Sequence, residues 1–273
     1  MKTLNENNVY QSESILTINE LLKENKRIIS FLGSRQSGTS FLVNNIARIM
    51  ARRNIDIAIL DMTSNKDTYY IYTKNKEAVK IKIKDSFKDL SEGTLNGIQI
   101  ENNLTVYTDL PGKNEYSNKV EPILETILKK HQVILIDTDF STDVDYFDFS
   151  EQVYLVQTMN VLTIQPLTEF LSKLKSQNAI NDEKIRIILN KFLNFDEITV
   201  AKLIGGLAFY NDPSMTYMQQ IFNKNGIKYT TISYNQQAYE TYLRDVAKCQ
   251  ISANYSIEFK KELELLANDV IKG

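Results

Sequence analysis

Sulfur and imidazole chemistry have almost no material to work with in this chain. One cysteine (Cys249) and one histidine (His131) among 273 residues exclude a disulfide framework and leave too few ligands for a Cys/His zinc site. His131 closes a helical pattern and Cys249 falls between two others, which suits structural roles for both. No apolar run approaches the ~18–20 residues of a membrane-spanning helix, and the polar N-terminus has no signal-peptide pattern, so the expected location is the cytosol. Neither sign of charge dominates: a formal net charge of −2 implies no bulk attraction to nucleic acid or anionic lipid. Glycine (9) and proline (4) are scarce, and no Gly/Ser/Pro-rich linker or internal repeat divides the sequence.

What remains is an ordinary globular composition, 42% apolar and 24% charged, in a chain long enough to bury a sizeable core. Residues 1–14 are polar and aperiodic and read as a loose arm; residues 15–273 read as one domain. Thr17 and Glu20 form a capping box for a short helix to about Glu24. Apolar strands are expected at Arg27–Leu32, Asp56–Leu60, Leu104–Tyr107, Val133–Ile136, Val153–Val156, Ile185–Leu189 and Tyr229–Ile232. Helical spacing is expected over Ser40–Arg53, Pro122–Lys130, Thr163–Ser176, Pro213–Asn223, Gln236–Lys248 and Ser256–Ile271. Residues 65–100 give no clear pattern. Strands of four to six residues alternating with helices imply βαβ crossovers, hence an α/β fold with a mainly parallel central sheet and helices on both faces.

In such a sheet, ligands bind beyond the carboxyl ends of strands. Four strand ends carry polar residues of interest. The first is the turn Gly33-Ser34-Arg35-Gln36-Ser37-Gly38-Thr39-Ser40 between a strand and a helix. It fits G-x-x-x-x-G-K-[S/T] except that Thr39 stands where a lysine would reach the β- and γ-phosphates. Ser40 remains to offer its hydroxyl to Mg²⁺. Asp61 ends the second strand, and Asp137 follows Val133-Ile134-Leu135-Ile136 in the form of a carboxylate that holds Mg²⁺ through water. Asn190-Lys191 ends a later strand where an adenine-contacting amide belongs. Each alone has a plainer explanation, a turn or a helix cap. Their order along the chain is what makes a P-loop-type fold the reading.

These residues resemble the ParA/MinD family of P-loop ATPases, and within it the CpaE/TadZ branch, from about Arg27 to Ile251. The family loop K-G-G-x-G-K-[S/T] is similar to Gly33–Ser40, with Ser34 at the early lysine and Arg35 and Gln36 at two usual glycines. Ile57 to Tyr70 is similar to V-L-L-V-D-L-D-x-x-x-G-D, with Asp61 at the first Asp but Thr63 at the second, which the family uses to orient the attacking water. Ile134–Asp137 resembles the Walker B strand, Leu104–Gly112 the L-x-V-L-P-G stretch, Ile188–Lys191 the base-contacting V-x-N-[R/K], and Ile232-Ser233-Tyr234 the I-P-[Y/N] segment. Asp139 and Ser233 each replace a usual proline.

The resemblance implies ATP and Mg²⁺ as cofactors, with Gly33 to Ser40, Asn190 and Lys191 holding the nucleotide, Ser40 and Asp137 the metal, and Asp61 and Asp137 serving hydrolysis if there is any. It also implies a homodimer working with a membrane-associated pilus, secretion or conjugation machine and recruited to the inner face of the membrane by its partners. The departures weigh against turnover. Loss of one hydrogen bond to a charged group, about 1.5–3 kcal/mol, weakens ATP binding by roughly 10- to 100-fold, and loss of a transition-state donor costs about 10²–10³ in rate. A dimerising localisation or assembly scaffold, binding ATP weakly or not at all, is therefore the expectation. The alternative is an active positioning or partition switch in which Arg35 replaces the lysines. A tyrosine autokinase, also built on a related loop, needs the lysine and a C-terminal tyrosine cluster; no tyrosine follows Ser256.

Two further segments have competing readings. Ile257, Leu263, Leu266, Val270 and Ile271 form a stripe suited either to the core or to a membrane surface, and the balancing acids Glu258, Glu262, Glu264 and Asp269 favour the core. The Lys66–Lys84 stretch, with Tyr69, Tyr70 and Tyr72, suits a partner surface better than a single-stranded nucleic acid.

Overall fold

A computed structural model describes residues 25–73, 76–112, 119–194, 196–200, 203–204, 227–249 and 251–273. The expected arm, the Thr17–Glu24 helix and the Pro213–Asn223 helix lie outside the described residues. Within them the chain is one α/β domain around an eight-stranded sheet in the order β3-β4-β2-β5-β1-β6-β7-β8. The strands are β1 (Arg27–Gly33), β2 (Ile57–Asp61), β3 (Ile98–Glu101), β4 (Leu104–Tyr107), β5 (Val133–Thr138), β6 (Gln152–Gln157), β7 (Ile185–Phe192) and β8 (Lys228–Ser233). All neighbours pair in parallel except β3 and β4.

Strand β1 is central because both its faces are apolar. Ile29 and Phe31 pack beneath helix α1 (Thr39–Arg52), which contributes Leu42, Val43, Ile46 and Met50. Ile28 joins the opposite core with Ile134 and Ile136, and Leu32 joins a third cluster with Val153 and Leu155. Ser30, in the middle of the strand, is fully buried and spends its hydroxyl on Ser150 at 2.7 Å, so its polarity is satisfied. Parallel strands covered on both faces read as continuous hydrophobic runs, and the expected strands were legible for that reason.

Residues 65–100, unassigned from sequence, form α2 (Asp67–Thr73), α3 (Glu77–Ile83), α4 (Ser86–Ser91) and the antiparallel edge strand β3. Helices of six or seven residues complete too few turns to display a period, and they persist through burial of Tyr69 and Ile71 of α2, Ile83 of α3, and Phe87 and Leu90 of α4. Only Tyr70 of the three tyrosines faces out; Tyr69 is buried, and the Tyr72 hydroxyl donates to Asn44 Oδ1 at 2.7 Å. Lys66 is buried as well. Two of the three aromatic rings and Lys66 therefore turn inward, while Lys76, Lys82 and Lys84 remain on the surface.

Beyond α5 (Val120–Leu128) and the single turn α6 (Asp145–Asp148), α7 (Ile164–Ser176) covers the β6–β7 region, and α8 (Gln236–Ala247) follows β8. The last helix, α9 (Ile257–Lys272), lies against α1 through Phe259, Leu263, Leu266 and Val270. Ile257 is a correction to the expected stripe: it is 68% exposed, outside the docked face. Ser256 caps the helix by accepting from Phe259 N, and Arg27 Nη1 donates to the terminal carbonyls of Val270 and Ile271 at 2.6 and 2.7 Å. Among the described residues no helix is long and apolar enough to cross a membrane.

Candidate functional site

The carboxyl ends of β1, β2, β5, β7 and β8 open onto a cavity of 880 Å³, within the range of small-molecule sites. The loop Gly33 to Ser40 forms its floor. Left-handed backbone at Gln36 (φ 66°) and Gly38 (φ 91°) and the bond from Ser37 N to Ser34 O at 3.0 Å fold it back into the start of α1. That helix start supplies backbone amides with no partner inside the helix, together with the positive end of its dipole.

Thr39, in the lysine's place, turns under the loop. Its Oγ1 lies 2.8 Å from Ser37 Oγ, and a Cβ at Gly33 would meet both hydroxyls at 2.2 Å. Gly33 is required by this close approach. From β7, Asn190 Nδ2 donates to Ser37 O at 2.7 Å and Lys191 Nζ to Gln36 O at 3.0 Å. The expectation that Asn190-Lys191 ends the strand needs correcting: β7 runs on to Phe192, and the pair sits on an irregularity where Lys191 takes φ 55° and the register against β8 shifts. The two side chains clamp the loop's carbonyls. Burial holds the Lys191 pKa below its usual value, and its ammonium lies 5.7 Å from the Tyr239 ring centroid. Arg35 and Gln36 are exposed on the rim.

Beside the loop stand four carboxylates with different fates. Asp61 and Asp137 are register partners on β2 and β5, and both are fully buried. Asp61 Oδ1 accepts from Thr63 N and Thr63 Oγ1 at 3.1 and 2.6 Å; Oδ2 accepts from Thr68 N and Thr108 Oγ1 at 3.1 and 3.4 Å. It is enclosed by its own loop and does not line the cavity. Asp139 accepts from Ser64 and Ser141, backbone and side chain alike. Burial alone would raise its pKa, but these bonds outweigh burial and lower it. Asp137 lines the cavity with neither carboxyl oxygen hydrogen-bonded. Burial, then the neighbouring Asp61, pushes its pKa well up; Ser40 approaches closely enough to moderate the rise, short of a hydrogen bond by geometry.

Two participants escaped the sequence reading. Asp67, at the start of α2, accepts from Ser40 Oγ at 3.5 Å. Although solvent reaches its side chain, desolvation and then Asp61 raise its pKa, with Ser40 and the charge of Arg35 opposing. Lys66 is 1% exposed, donates Nζ to Asp61 O at 2.8 Å and lies 5.0 Å from the Phe87 centroid. Burial lowers its pKa, while Asp61, Asp109, Asp139 and Asp137 counteract. The Asp67-Thr68 pair ahead of an apolar turn was a helix-start signal, but in a segment too short to register. The cavity's far wall is aromatic and apolar: Phe41, Tyr234, Tyr239, Tyr242, Leu243 and Phe259.

No protein-family model matches the sequence, and no curated protein matches it. Comparison of structures does find likenesses. A plasmid partition protein of Borrelia burgdorferi B31 bound to AMPPNP is similar with a TM-score of 0.61 at 17% identity, over 90% of this chain and 99% of that one. The fold is that of the ParA/MinD P-loop ATPases. MinD in the MinC:MinD cell division complex of Aquifex aeolicus is similar at a TM-score of 0.61 and 12% identity, over 90% of this chain and 96% of that one. A McdA variant of Cyanothece in complex with ATP gives 0.59 and 12%, over 90% and 97%. At these identities the likeness is one of fold. Among the described residues, no group of three His, Cys, Asp or Glu side chains is arranged to hold a metal by itself. A hard divalent cation here would thus share its coordination with phosphate oxygens and water, the usual arrangement for Mg²⁺.

Proposed function

We propose that this chain is a ParA/MinD-fold nucleotide-binding protein that works as a dimerising localisation or assembly scaffold, holding Mg-ATP weakly and turning it over slowly or not at all. One observation carries the reading: Asp137 is a fully buried carboxylate with no hydrogen-bond partner, facing a cavity next to Ser40 and a formed Gly33–Ser40 loop. A buried charge without partners is costly in the absence of a ligand, and a cation at the loop would relieve it. Ser40 and Asp137 would hold the metal, the loop amides the phosphates, and the aromatic wall the base; Mg²⁺ would neutralise phosphate charge there. Weak binding and slow turnover are expected because Ser34 and Thr39 stand where the two lysines would and Thr63 where the water-orienting Asp would; the Thr39 contact with Ser37 and the enclosure of Asp61 within its own loop support this.

The pilus, secretion or conjugation machine as partner rests on the sequence resemblance to the CpaE/TadZ branch. Support for membrane recruitment through partners, and not through the last helix, comes from the apolar face of α9 being spent on α1.

A second reading, the active positioning or partition switch, draws on Arg35, whose charge is felt at Asp67 across the mouth of the site. Titration calorimetry with Mg-ATP, followed by a phosphate-release assay and sedimentation with and without nucleotide, tests the two. The scaffold reading expects weak binding and negligible phosphate release. Micromolar affinity with turnover abolished by Arg35→Ala would establish the switch instead.

A further inference from the structure

We propose that Asp67 is the carboxylate with which this chain flanks a divalent cation at Ser40. The inference rests on the nucleotide-binding reading above and assigns a residue that reading did not contain.

Hydrogen bonding separates the acids beside the loop. Asp61 has both oxygens occupied by Thr63, Thr68 and Thr108. Asp139 has both occupied by Ser64 and Ser141. Two carboxylates are left facing the cavity, Asp137 and Asp67. Asp137 is fully buried and without a hydrogen-bond partner, and Asp67 reaches the Ser40 hydroxyl itself at 3.5 Å. A hydroxyl with two carboxylates beside it is a suitable seat for a hard cation, whose remaining ligands would be phosphate oxygens and water.

The backbone around Asp67 is built to hold it there. Both neighbours in sequence are tied to Asp61: Lys66 Nζ donates to Asp61 O at 2.8 Å, and Thr68 N donates to Asp61 Oδ2 at 3.1 Å. Lys66 takes a left-handed φ of 53° while buried to 1%. That conformation is unfavourable for a residue with a side chain, and burial of Nζ on the Asp61 carbonyl holds it. Lys66 points inward and Asp67 outward, so one residue anchors the turn and the next presents its carboxylate. Thr63 cannot serve, because its hydroxyl donates to Asp61.

Titration of the full chain with ATP in EDTA and with ATP plus Mn²⁺ tests the assignment, with bound Mn²⁺ counted by electron paramagnetic resonance. Wild type is expected to bind ATP more tightly with Mn²⁺. Asp67→Asn should bind ATP alone at least as well, since an anion is removed beside phosphate, and should lose the Mn²⁺-dependent gain by about 10-fold or more. Asp67→Glu should recover part of it. Because Asp67 is solvent-accessible and makes a single long hydrogen bond, the Asn variant should melt as wild type does. An unchanged Mn²⁺ gain in Asp67→Asn, or a wild type that binds ATP with no response to Mn²⁺, overturns the assignment while leaving nucleotide binding standing. A wild type that binds no ATP overturns the nucleotide-binding reading and the assignment with it.

Discussion

Asp61 and Asp137 lie side by side on adjacent parallel strands, one with both carboxyl oxygens hydrogen-bonded and the other with neither. Two identical side chains at matched strand ends thus do different work. The first organises the Thr63–Thr68 turn, and the second faces a cavity with no hydrogen-bond partner.

Substitution should separate them. Asp61→Asn replaces one of two oxygens, each accepting from two donors, by an amide that can only donate there, and should destabilise the fold by about 2–3 kcal/mol. Asp137→Asn should leave stability unchanged or raise it, because a buried unpaired charge disappears. Urea unfolding without nucleotide or metal reads both; equal losses in the two variants would contradict the division.

Gly38→Ala should disrupt the loop. Its φ of 91° is strained for any residue with a Cβ, and that Cβ would lie 2.4 Å from Asn190 Nδ2. The expected cost is about 1–3 kcal/mol, with release of the Asn190 clamp on Ser37 O. Thermal melts and slower or faster amide exchange at Ser37 and Gly38 report the two effects, and faster exchange is the expected direction.

Thr39→Lys tests what the missing cation is worth. The substitution gives up the Ser37–Thr39 hydroxyl contact at 2.8 Å, about 1 kcal/mol, and restores a charged donor in the phosphate cradle. Mg-ATP affinity by calorimetry should rise roughly 10- to 100-fold. No rise would mean that the loop's shape, and not its charge, limits binding.

His131 should make stability pH-dependent. It is 2% exposed, its Nε2 lies 3.0 Å from the Tyr107 hydroxyl, and burial, then Lys130 and Lys26, lower its pKa to about 4. The unfolded chain takes up the proton near pH 6.5, which the folded chain resists until near pH 4. The contribution is complete above pH 6.5 and is lost progressively as pH falls to 4, by up to about 3 kcal/mol. Unfolding free energies at several pH values, for wild type and His131→Leu, should show this slope in wild type and its loss in the variant.

The sheet, the loop and Asp137 were legible in the residues because each depends on neighbours in sequence. Ile28–Leu32 and Val133–Ile136 are uninterrupted apolar runs, which only burial on both faces explains, and Gly33 to Ser40 is a local turn. The hydrogen-bond partners of Asp61 and Asn190 were not legible. Asp61 is spent on Thr63, Thr68 and Thr108, and Asn190, which lines the cavity, also donates its amide to Ser37 O, 153 residues away in sequence. Asp67 and Lys66 were missed because α2, at seven residues, is too short to carry a period.

The sequence by itself therefore determined the seven apolar parallel strands, the position of the loop and the absence of its lysine, since periodicity and turn chemistry act over a few residues. Only the tertiary structure decided which polar groups remain available. Hydrogen-bond capacity is finite, and whether a carboxylate at a strand end is consumed or left open depends on partners brought in from β4, β7 and the β2–α2 turn. For Asp61 they close the site; for Asp67 and Asp137 they leave it open.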